Sequence, residues 1–288
     1  NKDNKIRRES SSGGVCKTLI IESLKNNLAD GVYTLRKTGR YPYAEGEFYT
    51  KENIPRYDDI PNSVYHSVLA CREVKKIQRC ERLIVIGTSC QLRAMDSTRF
   101  LAKIMGMEIS ENLNFSIRYR GNGWPGIVRV NESELSWNRA AQIPFGRRLW
   151  TIPGCNVCGD SFGTNVGADI TLMDPWKIRS ENDLGETLVI VHTDKGLNLL
   201  NNILSLRSEQ KAYKEVALAL DLKDIWRKQQ LVPFFRGENC TETVLKAGKA
   251  EQSQRKFLRS VVETLPRMPI LFYRILCKIS DRRNNILK

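Results

Sequence analysis

Arg82-Leu83-Ile84-Val85-Ile86-Gly87-Thr88-Ser89-Cys90-Gln91 is the stretch that decides the fold class. Its apolar run is short, β-branched and closed by glycine, which predicts a strand of the kind buried on both faces. Residues 91–106 then read as a helix. Upstream, Val15, Leu19, Leu24 and Leu28 recur at helical spacing, and Asp30-Gly31 stops that helix. Short strands are predicted at 32–35 and 47–50, and a helix at 67–80. Downstream, strands at 115–119 and 127–131 flank a Gly/Pro-rich segment. Strands at 168–174 and 188–193 and a helix at 195–206 follow. From about residue 208 the pattern is helical only. Strands alternating with helices predict an α/β fold, a mixed sheet flanked by helices. Residues 1–206 would form this domain and 207–288 a helical, basic C-terminal extension. Residues 1–9 are polar and read as a ragged end.

The bulk numbers narrow the function classes. The 288 residues carry 41% apolar side chains, enough for a real core. No run of about 18 apolar residues exists, so no transmembrane helix is expected. No secretory signal is visible. Eight cysteines are too sparse for a disulfide scaffold, and a cytoplasmic setting with reduced thiols is expected. The net charge is +14, and residues 246–288 alone hold 11 Lys/Arg against 3 Asp/Glu. Such a tail suits an anionic partner. No nucleic-acid motif accompanies it, so nucleic acid is not the expected one. Pro266, Pro269, Phe272, Tyr273 and Ile275 alternate there with Arg and Lys. A peripheral contact with an anionic membrane surface and a terminal helix packed on its own domain are equally compatible with that pattern.

Several segments carry candidate chemistry. Ser10-Ser11-Ser12-Gly13-Gly14 precedes a helix, where unpaired N–H groups and the helix dipole accept a phosphate. An ordinary serine N-cap explains the same residues. Gly87-Thr88-Ser89-Cys90-Gln91 lies at a strand carboxyl end, the usual ligand position in open α/β sheets. A helix start would also lower the Cys90 pKa. Arg118-Tyr119-Arg120-Gly121-Asn122-Gly123-Trp124-Pro125-Gly126 combines guanidinium, amide and indole, a set that can hold a phosphate and cover a flat ring. Cys155-Asn156-Val157-Cys158 is a C-x-x-C pair, fit for zinc, an iron–sulfur cluster or dithiol redox chemistry. With only His66 and His192 as histidines, cysteine must do most of any ligation. Asp174, at a strand end, is either a polar site residue or the cap of a turn before Pro175, and the turn is the favoured reading.

These segments occur in order with Ser63-Val64-Tyr65-His66-Ser67, Ala168-Asp169-Ile170-Thr171-Leu172-Met173-Asp174-Pro175-Trp176 and Thr193-Asp194-Lys195-Gly196. Together, over roughly residues 8–200, they resemble the coenzyme F420 hydrogenase/dehydrogenase beta subunit family. The resemblance implies a flavoprotein oxidoreductase that carries an iron–sulfur cluster. Electrons would pass from a ferredoxin-like donor through FAD (or FMN) to an unknown small-molecule substrate. Many such proteins lie in bacterial surface-polysaccharide gene sets. The flavin would lie near Ser11, Ser12, Gly13, Gly14, Thr18, Tyr65 and Ser67. It would also touch Gly87, Thr88 and Gln91, and Arg120, Gly121, Asn122, Gly123 and Trp124. A [4Fe–4S] cluster would be held by Cys90, Cys155, Cys158 and a fourth thiol, with Cys71, Cys80 and Cys16 as candidates.

The chain departs from that family at identifiable places. Met95 runs through Asp96 to Phe100 directly into a helix, where relatives have a further strand and its cysteine. Met173-Asp174 stands where many have Gly-Asp, and Ser89 where proline is common. The ferredoxin-type cysteine run that precedes this region in many relatives is missing. Two other readings therefore stand beside the oxidoreductase: a degenerate, non-enzymatic relative, and a zinc-stabilised interaction domain.

Overall fold

The computed structural model describes residues 1–40, 42–64, 68, 81–87, 117–141, 168–180, 184–220 and 222–264, with 269, 271, 272 and 275 beyond them. The architecture is α/β, as expected. In chain order, the elements are α1 (Asn4–Glu9), α2 (Val15–Lys25), β1 (Gly31–Lys37), β2 (Ala44–Tyr49), β3 (Leu83–Val85), β4 (Ile117–Tyr119), β5 (Ile127–Val130) and β6 (Ser133–Ser136). They continue as α3 (Trp137–Ala140), β7 (Ile170–Met173), β8 (Leu188–Val191), α4 (Asp194–Asn201), α5 (Tyr213–Leu220), α6 (Leu222–Arg236) and α7 (Glu242–Thr264).

The strands form three small sheets among the described residues. In the first, ordered β2-β1-β3, β1 pairs antiparallel with β2 (Val32 opposite Tyr49) and parallel with β3 (Val32 opposite Ile84). This makes it a mixed sheet. β4, β5 and β6 form an antiparallel meander, and β7 pairs antiparallel with β8. The expectation that residues 82–88 are buried on both faces is corrected here. β3 spans three residues and has β1 as its one neighbour among the described residues, and Val85 is 61% exposed.

Helix α2 is the centre of packing. Ile20, Ile21 and Leu24 meet Val32, Tyr49 and Ile60 on the side of the mixed sheet. Val15 and Leu19 meet Ile203, Leu172 and Val189 on the side of β7, β8 and the end of α4. Each such aliphatic side chain, fully buried, contributes about 1.5–3 kcal/mol. Two-sided burial explains how Thr18 and Ser23 come to lie inside at 0% exposure. The Thr18 hydroxyl satisfies itself locally by donating to the Gly14 carbonyl at 2.8 Å.

Residues 1–9 are not ragged. Asp3 caps α1, its Oδ1 accepting from the N–H groups of Lys5 at 2.7 Å and Ile6 at 3.3 Å. Arg7 then reaches from α1 to the Gly185 carbonyl, 178 positions along the chain. At the other end, Gly237 (φ +73°) stops α6 by accepting the left-handed conformation. Its N–H donates to Phe234 O and that of Glu238 to Pro233 O, which closes the helix end. No helix among the described residues is long and apolar enough to cross a membrane.

Candidate functional site

The Ser10–Gly14 turn leads the chain from α1 into α2 and is held from three directions. The Ser11 carbonyl accepts from Arg120 Nη2 at 2.9 Å, and the Ser12 carbonyl from Thr187 Oγ1 at 2.9 Å. Ser63 Oγ donates to Ser11 Oγ at 3.0 Å. The turn requires its glycines: Gly14 has φ +74°, and a Cβ there would come within 2.9 Å of the Ile6 side chain.

Asp174 is the hub beneath this turn. Its carboxylate accepts from the Ser12 hydroxyl, from Arg120 Nη1 at 3.1 Å and Nη2 at 3.2 Å, and from Trp124 Nε1 at 3.5 Å. Arg120 is 1% exposed, with φ +68°. Its guanidinium also lies 5.6–5.8 Å from the ring centroids of Trp124, Trp137 and Trp176. Trp176 in turn touches Trp124 and Trp137, with centroids 4.6 and 5.3 Å apart. The paired carboxylate and the indole faces together make it possible to bury this cation. A turn does follow at Pro175, but the Asp174 side chain does not cap it; of the two readings it fulfils the polar one, joining the turn before α2 to the loop after β4.

That loop follows from its own residues. Arg120, Gly121, Asn122 and Gly123 all have positive φ, and Gly126 adds another at +90°. Gly126 is obligatory, since a Cβ would meet the Gly121 carbonyl at 2.6 Å. Gly123 donates its N–H to the Arg8 carbonyl, and Arg118 Nη2 donates to the Glu9 carbonyl. The loop is thereby tied to α1.

Between the turn and the end of β7 lies a cavity of about 210 Å³. Ser11, Ser12, Ser63, Lys17, Met173 and Asp174 are among the residues that line it. Lys17 is 7% exposed and donates from Nζ to the Tyr57 carbonyl at 3.0 Å. Burial, with Lys37 and Arg118 nearby, pushes its amine down to about 7. Cys16 also lines the cavity, and burial pushes its thiol up to about 11, against the thiolate a metal needs.

The structure gathers part of the expected set. Ser11, Ser12, Gly13 and Gly14 form the turn, and Thr18 supports it one helical turn on. Gly121, Gly123 and Trp124 are buried in the loop, while Asn122 is exposed. Gly87 is exposed just past β3, with nothing within 4 Å of a Cβ placed on it. Tyr65, Ser67, Thr88 and Gln91, and the thiols Cys90, Cys155 and Cys158, lie outside the described residues. Among the described residues, no group of three His, Cys, Asp or Glu could hold a metal ion. Sequence reasoning overlooked Lys17, Trp137 and Trp176. Lys17 had a visible signal: it is the lone charge in the otherwise uncharged run 15–21.

No family model matches the chain, and no curated protein matches it. Among solved structures, a chain of the F420-reducing [NiFe] hydrogenase complex from Methanosarcina barkeri is similar, with a TM-score of 0.52 and 16% identity. The match covers 78% of this chain and 85% of that one. At this identity the likeness is one of fold.

Proposed function

We propose that this chain is a flavin-binding oxidoreductase domain, holding the phosphate end of FMN or FAD at the turn before α2. The observation that carries the reading is the cavity at that turn, where serine hydroxyls and the buried Lys17 amine meet the N-terminus of an 11-residue helix. Among the described residues this amine, pushed down by burial, forms no ion pair and has only the more distant Asp58 charge in its favour. A phosphate there would recharge it and collect the hydroxyl donors. The described walls enclose less than the roughly 300 Å³ at which small-molecule sites usually begin. They therefore suit the phosphate and ribityl portion rather than a whole dinucleotide. Met173 lines the same cavity, so the ring must avoid its side chain.

The flavin, when bound, supplies two-electron chemistry, and the protein binds and orients it. Arg120, Asp174 and the three tryptophans act one layer behind, fixing the turn. The [4Fe–4S] cluster on Cys90, Cys155 and Cys158, the ferredoxin-like donor, the small-molecule substrate and the cytoplasmic setting are proposed from the resemblance. The basic C-terminal extension is proposed to rest on an anionic membrane surface. Trp226 and Phe257 support this, at 61% and 68% exposed on α6 and α7.

Anaerobic reconstitution with FMN, iron and sulfide tests the proposal. One flavin and about four irons per chain are expected. Lys17→Met should weaken FMN, measured by fluorescence quenching, about tenfold or more while leaving riboflavin, which lacks the phosphate, unchanged. Protein that stays empty of flavin overturns the reading. One zinc without flavin would instead identify an interaction domain.

A further inference from the structure

A second cavity, of about 380 Å³, is lined by Arg36 and Lys37 of β1, Tyr49 of β2 and residues of the segment 53–59. That volume falls within the usual range for small-molecule sites. Most of its charged walls are already satisfied. Arg36 bridges Glu45 at 2.6 Å and Glu47 at 3.1 Å. Asp59 is held by Arg56 through two side-chain bonds, at 2.9 and 3.2 Å. The amide of Asn53 is spent on the backbone of Thr50 and Phe48.

Three polar side chains on the wall remain uncommitted among the described residues. Lys37 and Asp58 both line the cavity, and their side chains form no ion pair or hydrogen bond there. Asp58 is near enough to favour the charged Lys37, while burial disfavours it. Tyr49 is 5% exposed, and its hydroxyl is buried without a partner. Ile54, Pro55 and the Tyr49 ring supply apolar surface.

One uncommitted cation and one uncommitted anion on a single wall select against ligands of one charge sign. A phosphate would meet Asp58 and Asp59, and a metal cation would meet Arg36 and Lys37. A compact ligand carrying both signs satisfies the two groups together. We propose that this cavity binds a small zwitterion of the α-amino-acid class, its carboxylate on Lys37, its ammonium on Asp58 and its side chain against Ile54, Pro55 and Tyr49. None of its lining residues lines the cavity at the turn, although the charges of Lys37 and Asp58 are felt by the Lys17 amine; binding of a free amino acid is therefore read separately from binding of FMN.

Calorimetry and thermal shift on the full chain, with a panel of free amino acids, test it. Each amino acid is compared with its N-acetyl and carboxamide forms. At least one free amino acid should bind with a Kd between about 10 µM and 1 mM. Blocking either end should cost about tenfold or more. Lys37→Met should produce the same loss for the free form. Asp58 is exposed, so Asp58→Asn is the variant that folds in any case; it should lose the free amino acid but bind the N-acetyl form no worse than the parent protein does. Absence of binding across the panel overturns the proposal. So does binding that survives both blocked ends and Asp58→Asn.

Discussion

At Arg120 a guanidinium 1% exposed is held by a carboxylate, a carbonyl and three indoles, whereas on α7 Arg255 stays near the surface and serves α6. Arg255 donates to Glu251 at 2.8 Å and covers the Phe235 ring at 4.8 Å; Arg227 of α6 reaches the same carboxylate. In the first region burial makes each partner indispensable. In the second, water can replace any partner, while apolar side chains such as Trp226 and Phe257 are left outside. One region stores its stability in a buried polar knot, and the other in contacts shared with water.

The sharpest way to break this contrast is Asp174→Ala. It leaves a buried guanidinium without its anion, and about 3–5 kcal/mol of stability should be lost in urea unfolding. Arg120→Lys should recover only part of that loss relative to Arg120→Ala, because an ammonium cannot fork to both carboxylate oxygens. A wild-type midpoint for Asp174→Ala would show that the knot does not hold the fold.

Lys17 gives the next largest effect, through pH. Its amine falls from an ordinary 10.5 to about 7 on folding. Between those values the unfolded chain binds a proton that the native amine has released, so this contribution to stability rises with pH. Below about 7 it is flat and unfavourable. Relative to Lys17→Met, the native protein should therefore gain up to about 4 kcal/mol between pH 7 and pH 10.5. Parallel stability–pH curves for the two proteins would contradict this assignment.

The smallest stability effect belongs to the hairpin of α6 and α7. Trp226→Ser with Phe257→Ser should shift stability by no more than about 0.5 kcal/mol, since both rings are exposed. The same pair should reduce sedimentation with vesicles containing anionic lipid, in a salt-sensitive manner. Unchanged vesicle binding would detach these rings from the membrane proposal.

Legibility in the sequence followed locality. The serine–glycine turn, the start of a helix at Val15 and the irregular segment 120–126 depend on residues adjacent in the chain, and they were readable there; the helix end was not, since α2 stops at Lys25 rather than at Asp30-Gly31. For Asp174 the turn was preferred over the polar-site reading because its partners Ser12, Trp124 and Arg120 lie 162, 50 and 54 positions away. Residues 1–9 were misread for a related reason. Their polarity suggested a loose end, yet Arg7, Arg8 and Glu9 are fixed by residues 185, 123 and 118. The two-sided burial expected at β3 failed because the groups packed against a strand, not its composition, decide how far it is covered: Val85 is exposed although apolar.

The sequence by itself determined the α/β alternation, the glycine-dependent turns and the basic C-terminal end, since φ preferences, apolar spacing and charge are properties of neighbouring residues. Only the tertiary structure decided that Asp174 closes on Arg120, that Lys17 is buried beside a serine-lined cavity, and that Lys37 and Asp58 share a second one. Those outcomes depend on which distant groups share a low-dielectric interior, where one missing partner costs more than any local preference supplies.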